Sequence, residues 1–145
     1  MACVDPGIGD AFQSAFWAAK RAMAEAGEAA FQRHGVRSGQ QWILRCLWNE
    51  DGLTPGEIAR RLELSTPTVT KAAMRMEAAG IVDRRPDPRD ARLVRLFLSE
   101  RGRALEQTIA EEMGRLARRA LATLRPEECE ALVGYLTAIR RNLQS

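Results

Sequence analysis

The sequence holds few of the residue types that bind metal ions or act as nucleophiles. It has one histidine, His34, and three cysteines, Cys3, Cys46 and Cys129, which show no Cys-x-x-Cys spacing. A zinc site or a cysteine–histidine nucleophile therefore lacks its minimum parts. No other cluster of convergent titratable groups is visible, so we expect neither an enzyme, nor a metal site, nor a bound cofactor.

Long apolar runs are also missing from the sequence. No stretch approaches the roughly 20 apolar residues that a membrane-spanning helix needs, and the N-terminus lacks the basic start and apolar segment of a signal peptide. These absences predict a cytoplasmic protein without a membrane partner. The 145 residues, 46% of them hydrophobic, are enough for one domain with its own core.

The positive charge of the chain is confined to its centre. Residues 53–103 hold 11 lysines and arginines against 7 acidic residues, a balance of +4. Residues 1–52 hold 5 against 6, and residues 104–145 hold 6 against 6. We therefore expect the centre of the chain, and not its ends, to bind a polyanion such as nucleic acid.

Two short helices with the spacing of a helix-turn-helix are predicted in this basic centre. The first opens with Thr54, a typical cap, and with Pro55 in the first helical turn. The second is capped by Ser65 or Thr66 and ends before Gly80, which suits the left-handed residue that often follows a helix.

The second helix has an apolar side and a small, polar and basic side. Val69, Ala72, Ala73 and Met76 share the side predicted to be buried. Short side chains, hydroxyls and cations on the other side suit close approach to a major groove, although a capped surface helix would look similar. This side, which we call the recognition face, comprises Thr66, Pro67, Thr68, Thr70, Lys71, Met74 and Arg75.

A strand pair interrupted by an arginine-rich loop is predicted directly after the second helix. Asp87 and Pro88 mark a turn, and the β-rich run of residues 93–98 follows it. Arg89 and Arg92 lie near the loop tip, where guanidinium groups suit the narrow groove of a duplex. The alternative is a solvated hairpin with ordinary surface arginines.

Apolar stripes run along the predicted terminal helices and imply helical partners. A homodimer formed through both ends of the chain is the economical solution, and packing within one chain is the alternative. The three stripes consist of Phe12, Phe16, Ala19, Met23, Ala26 and Ala30; of Leu105, Ile109, Met113, Leu116 and Ala120; and of Cys129, Leu132, Leu136, Ile139 and Leu143.

The central motifs together resemble the MarR family of bacterial transcription regulators. They are Ser65–Lys71, Asp90–Arg92 and Leu98–Gly102, with Met76–Val82 joining the first two. Each motif is weak alone, but their order and separation are specific. The resemblance implies a mainly α fold with a small β-wing. It comprises a winged helix-turn-helix (residues 36–103) flanked by N-terminal (1–35) and C-terminal (104–145) dimerisation helices, all in one integrated domain.

The resemblance also implies roles for individual residues. In this family the helix matching Thr66–Ala79 enters the major groove of DNA. The arginine matching Arg92 enters the minor groove, oriented by the acid matching Asp90. Family members dimerise through their terminal helices, which implies a homodimer on a pseudo-palindromic double-stranded operator.

Control by a small molecule is a further implication of the resemblance. Family members commonly release DNA when a small aromatic or phenolic anion enters the crevice between the DNA-binding part and the dimer helices. The candidate pocket residues are Trp17, Trp42, Arg45 and Trp48, which are alternatively core residues. The resemblance thus implies a transcriptional repressor relieved by an aromatic effector. The alternatives are a cysteine-based redox sensor and a winged-helix protein-interaction module that does not bind DNA.

Overall fold

The computed structural model describes residues 4–37 and 39–145. The predicted fold class, mainly helical with a small β-wing, is confirmed. The elements in these residues are α1 (Pro6–Gln32), α2 (Gln40–Asn49), α3 (Pro55–Leu62), α4 (Thr66–Ala78), β1 (Val82–Pro86), β2 (Val94–Leu98), α5 (Glu100–Ala120) and α6 (Pro126–Gln144).

The start of α3 is fixed by a pair of reciprocal hydrogen bonds. Thr54 Oγ1 accepts from the backbone N–H of Glu57 at 3.2 Å, and the Glu57 carboxylate accepts from the backbone N–H of Thr54 at 3.2 Å. Two amides that the helix leaves without a partner are thereby satisfied. The predicted cap at Thr54 is confirmed.

The ends of α4 also follow from local chemistry. Ser65, rather than Thr66, is the cap, since its Oγ accepts from the backbone N–H of Thr68 at 3.3 Å. At the other end Gly80 has φ +75°, a conformation that favours glycine because it lacks a Cβ. Between α3 and α4, Glu63 adopts a left-handed conformation with φ 56°, which makes the tight connection of the helix-turn-helix.

The wing is an antiparallel pair in which Val82 lies opposite Leu98 and Pro86 lies opposite Val94. The backbone N–H of Leu96 also donates to Leu53 O at 2.8 Å, so β2 pairs with the α2–α3 connection on its other edge. Residues 87–93, which we call the wing loop, join β1 to β2. The strand was predicted to begin at Leu93, but β2 begins at Val94. Leu93 belongs to the wing loop and is exposed.

One hydrophobic core joins residues 36–98, which we call the central unit, to parts of α1 and α5. Leu44, Ile58, Val69, Met76 and Leu96 are completely buried in it. The largest side chains that α1 and α5 add to it are Phe31 and Ile109. The predicted buried side of α4 is confirmed for Val69, Ala73 and Met76, whereas Ala72 is only partly buried.

A close backbone contact fixes α4 and β1 to the start of α5. Ser99 caps α5, and its Oγ also donates to Ile81 O at 2.9 Å. Gly102 packs so closely that a Cβ at this position would lie 2.2 Å from Ile81 O. Arg101 Nη1 donates to Ala79 O, at the end of α4, at 2.6 Å. These contacts join the start of α5 directly to the end of α4 and to the residue before β1.

A buried carboxylate connects the end of α1 to α5. Glu112 is 6% exposed and lies within 3.3 Å of both Arg33 Nη2 and His34 Nε2, and 2.9 Å from Arg115 Nη1. The hydrogen bond with His34, together with the charges of Arg33 and Arg115, lowers the pKa of the Glu112 carboxyl despite its burial. No pattern in the sequence predicted this cluster.

The terminal helices leave much of their apolar surface exposed. In α1 only Gly27 and Phe31 are buried, and α6 has no buried residue. None of the helices in residues 4–37 and 39–145 is long and apolar enough to cross a bilayer. The large exposed hydrophobic residues of the two helices are Ile8, Phe12, Trp17, Met23, Val133, Tyr135, Leu136 and Leu143.

Candidate nucleic-acid interface

The recognition face lies on the outside of α4, as its periodicity predicts. Thr66, Pro67, Thr68 and Lys71 near the N-terminus are exposed, and Thr70 is half-buried. Short side chains therefore surround one cation in the first two turns of the helix. This shape and charge allow a close approach to a polyanion.

The N-terminal cap of α4 also orients one of its hydroxyls. Ser65 Oγ lies 2.7 Å from Thr68 Oγ1, so these hydroxyls are hydrogen-bonded to each other. Further along the helix, Met74 is 52% exposed and Arg75 is exposed beside it. An apolar side chain on this face suits contact with a thymine methyl group.

The wing loop presents one arginine that is paired with a neighbouring carboxylate. Arg92 Nε and Nη2 donate to the two carboxylate oxygens of Asp90 at 3.0 and 3.2 Å, and the Arg92 backbone N–H donates to Asp90 Oδ1 at 3.0 Å. These bonds lower the pKa of the Asp90 carboxyl. The Arg92 side chain is nevertheless 90% exposed, so it projects into solvent while one side of its guanidinium is held.

The base of the wing contains a residue that the sequence did not single out. Arg95 Nε donates to Asp87 Oδ2 at 2.5 Å, and Arg95 Nη1 donates to Gly52 O at 2.8 Å and lies 4.0 Å from Glu57 Oε2. Asp87 in turn accepts from the backbone N–H of Arg89 at 2.7 Å. Only the alternation of residues 93–98, which puts Arg95 on the outer side of β2, pointed toward this residue.

Phe97 lies on the outer side of the same strand and makes a local apolar contact. A Cβ on Gly52, which has φ +79°, would lie 2.9 Å from the Phe97 ring. The Arg85 guanidinium stacks over that ring, with Cζ 4.8 Å from the ring centroid. The aromatic side chain therefore packs between the α2–α3 connection and an arginine of β1.

The four candidate pocket residues are divided between different places. Arg45 and Trp48 line a cavity of about 390 Å³ between α2 and α5. Trp42 lines a neighbouring cavity of about 460 Å³ between α1, α2 and α5. Trp17 lines neither of these two cavities, and its Nε1 donates to Gln13 at 2.8 Å on the exposed side of α1.

Comparison with known proteins places the central unit in a family. The MarR family model matches residues 38–94. The transcriptional regulator AdcR of Streptococcus pneumoniae is 33% identical over 107 aligned positions, and the match covers 69% of this chain and 70% of AdcR. The chain belongs to the MarR family. The HTH-type transcriptional regulator TtmR of Methylorubrum extorquens is 38% identical over 92 residues, 63% of this chain, and the match spans 47% of TtmR.

The family fold extends over the terminal helices as well. A solved structure of reduced AbfR bound to DNA superimposes with a TM-score of 0.75 and covers 95% of each chain at 22% identity. At this identity the similarity concerns the fold alone. The fold shared with this structure therefore extends beyond the residues matched by the family model, toward both ends of the chain.

Proposed function

We propose that this MarR-family protein is a sequence-specific transcriptional regulator that binds double-stranded DNA. The recognition face of α4 reads the major groove, and Arg89 and Arg92 of the wing loop contact the adjacent minor groove and backbone. The observation that carries the proposal is the combination of a small, basic α4 face with the projecting Arg92, which Asp90 holds in a bidentate pair. An acidic or apolar surface here would have favoured a protein-interaction module.

Substitutions on the two elements should weaken DNA binding in different ways. Arg92→Ala should weaken binding to most duplexes, because it deletes a groove contact. Lys71→Ala and Thr70→Ala should also change the preference among operators. Each loss should be about 1 to 3 kcal/mol, and Asp90→Ala should be a milder form of Arg92→Ala.

The operator for these measurements comes from selection of bound sequences out of random duplexes. Dissociation constants are then measured by fluorescence anisotropy at one fixed salt concentration, since phosphate contacts make affinity salt-dependent. Arg118→Ala, which removes an exposed arginine of α5, is the matched control, used once light scattering shows that it keeps the parent mass, because α5 belongs to the predicted dimerisation helices. Parent-like binding by all four interface variants would refute the assignment of this surface.

We propose that the protein acts as a homodimer through its terminal helices. Support comes from α6, which buries no residue within one chain, and from the apolar side chains exposed along α1. A twofold dimer places its recognition helices in successive major grooves of a pseudo-palindromic operator, about one helical turn apart. Light scattering should give twice the 16.1 kDa chain mass, and a monomer at micromolar concentration would contradict the proposal.

We further propose that the regulator is a repressor whose DNA affinity falls when a small aromatic acid binds beside α2. Arg45 supplies a cation and Trp48 an aromatic wall in the cavity between α2 and α5. Linkage requires the ligand to weaken DNA binding by the factor by which DNA weakens ligand binding. Titration of tryptophan fluorescence with salicylate and related acids, with and without operator, tests this reciprocity. Binding that leaves the operator affinity unchanged would exclude it.

The redox alternative receives less support from the described cysteines. Burial raises the pKa of the Cys46 thiol, whereas sensor cysteines are accessible and have lowered pKa values. Cys129 is half-buried on α6, and Cys3 lies outside the described residues. Operator affinity measured after peroxide treatment of the parent and of Cys46→Ser distinguishes redox control from control by an aromatic ligand. Loss of binding in the parent alone would favour redox sensing.

A further inference from the structure

The shape of the wing loop depends on a single carboxylate. Asp87 Oδ1 accepts from the backbone N–H groups of Arg89 and Asp90 at 2.7 and 3.0 Å. The backbone N–H of Asp87 donates to Leu93 O at 2.9 Å and closes the loop at its base. The Asp87 side chain is only 9% exposed, although the backbone N–H of Arg89 that donates to it lies at an exposed position.

Arg95 connects this carboxylate to the helical unit. It donates through Nε to Asp87 and through Nη1 to Gly52 O, which belongs to the α2–α3 connection. The planar guanidinium fixes the directions of both bonds at once. The hydrogen bond from Arg95 is also the main cause of the lowered pKa of Asp87. The wing loop is thereby oriented relative to α3, and so relative to the α4 face beside it.

The same bonds lead to the exposed arginine at the loop tip. Asp87 holds the backbone of Asp90, and the Asp90 side chain holds Arg92 in a bidentate pair. A free arginine side chain loses rotamer entropy when it binds. A loop that restricts the guanidinium in advance reduces this loss. Of these residues, Arg95 is the one bonded outside the wing loop, because its Nη1 donates to Gly52 O.

We propose that Arg95 is a positioning residue for DNA binding, which acts through Asp87 and Asp90 to direct Arg92 toward the minor groove. It does not contact DNA itself. The inference rests on the proposed function, because it requires Arg92 to contribute to operator affinity. Its consequence is that the effect of losing Arg95 depends on the presence of Arg92.

A double-mutant cycle tests this dependence. Arg95→Met keeps the aliphatic stem but removes both hydrogen bonds, and it should weaken operator binding about 3- to 30-fold. In the Arg92→Ala background the same change should weaken binding less than about 2-fold. Arg95→Lys keeps the charge, but its single nitrogen cannot occupy both donor positions, so it should resemble Arg95→Met.

Arg85→Met is the matched control. Arg85 lies directly across the strand pair from Arg95, so its substitution removes the same charge from the same hairpin. Its side chain contacts Asp83 and Phe97 rather than the wing loop. The factor by which Arg85→Met changes operator affinity should be the same in the parent and in the Arg92→Ala background.

The effect of Arg95 on the order of the wing loop can be measured without DNA. Limited trypsin digestion followed by mass spectrometry gives the rate of cleavage after Arg89 and after Arg92. This rate should rise about 3-fold or more in Arg95→Met and Arg95→Lys, because release of Asp87 opens the loop to the protease. It should stay at the parent value in Arg85→Met.

The possible outcomes separate the two proposals. If Arg92→Ala binds the operator like the parent, the proposed role of the wing fails. If Arg92→Ala is weakened but Arg95→Met has an equal effect with and without Arg92, the positioning role of Arg95 is refuted and a direct phosphate contact is favoured. Parent-like affinity of Arg95→Lys would likewise show that charge alone matters.

Discussion

Gly102 is the position where one added methyl group should have the clearest effect on the fold. A Cβ there would lie 2.2 Å from Ile81 O, whereas such contacts are essentially never shorter than 3.0 Å. The two groups must therefore separate by about 0.8 Å. The carbonyl cannot swing away freely, because it accepts from the backbone N–H of Ser99 at 3.0 Å and from Ser99 Oγ at 2.9 Å.

Gly102→Ala should consequently destabilise the protein, either by displacing α5 or by breaking those hydrogen bonds. Overpacking of this kind costs about 1 to 3 kcal/mol. In a chain of this size each kcal/mol lowers Tm by about 3 °C, so a decrease of roughly 3 to 10 °C is expected. Calorimetry at one fixed protein concentration measures it, since oligomerisation makes Tm depend on concentration.

Gly114→Ala provides the control within the same helix. Its added Cβ would meet only the guanidinium of Arg118, at 3.3 Å, which is the end of a flexible side chain. Replacing a glycine inside a helix by alanine should then stabilise the protein by up to about 1 kcal/mol. The reasoning would be refuted if Gly102→Ala melted at or above the parent temperature, or if both variants were destabilised equally.

Three further measurements test other parts of the structure. Thr54→Ala removes the acceptor for the Glu57 amide and should lower the free energy of unfolding by about 1 kcal/mol, whereas Thr54→Ser should stay near the parent in urea denaturation. Because the folded pKa of Glu112 is lowered from 4.5, its ionised form stabilises the fold above that value, and this contribution is lost as pH falls through the lowered pKa. The stability difference between the parent and Glu112→Gln should therefore be present at pH 7 and shrink on acidification below about 4.5, and a difference independent of pH would contradict the ion cluster. The Cys46 thiol, buried and with a raised pKa, should react with a thiol reagent far more slowly in native than in urea-unfolded protein, and equal rates in mass-spectrometric mapping would show that it is accessible.

Much of the central unit could be predicted because its signals are local. The caps Thr54 and Ser65 and the left-handed Gly80 act within a few residues of their positions, and they set the ends of α3 and α4. The periodicity of α4 separated its buried residues from the recognition face in the same way. The roles of those outward residues in DNA binding stay predictions.

The contacts that escaped prediction join residues far apart in the chain. Glu112 meets Arg33 across 79 positions, and Arg95 meets Gly52 across 43. No local pattern encodes such pairs, because they depend on how whole elements pack. The tryptophans were grouped by residue type, and the structure puts Trp48 and Trp42 on two neighbouring cavities and Trp17 on neither. Their role in binding an effector stays a prediction.

The division of α4 into two sides has a consequence for how substitutions on this helix act. Val69, Ala73 and Met76 carry the packing of the helix and are fully buried, while Lys71, Met74 and Arg75 are exposed. Substitutions at exposed positions usually alter stability by less than about 0.5 kcal/mol. On the proposed function, single substitutions of these exposed residues should therefore change operator preference while leaving the fold intact.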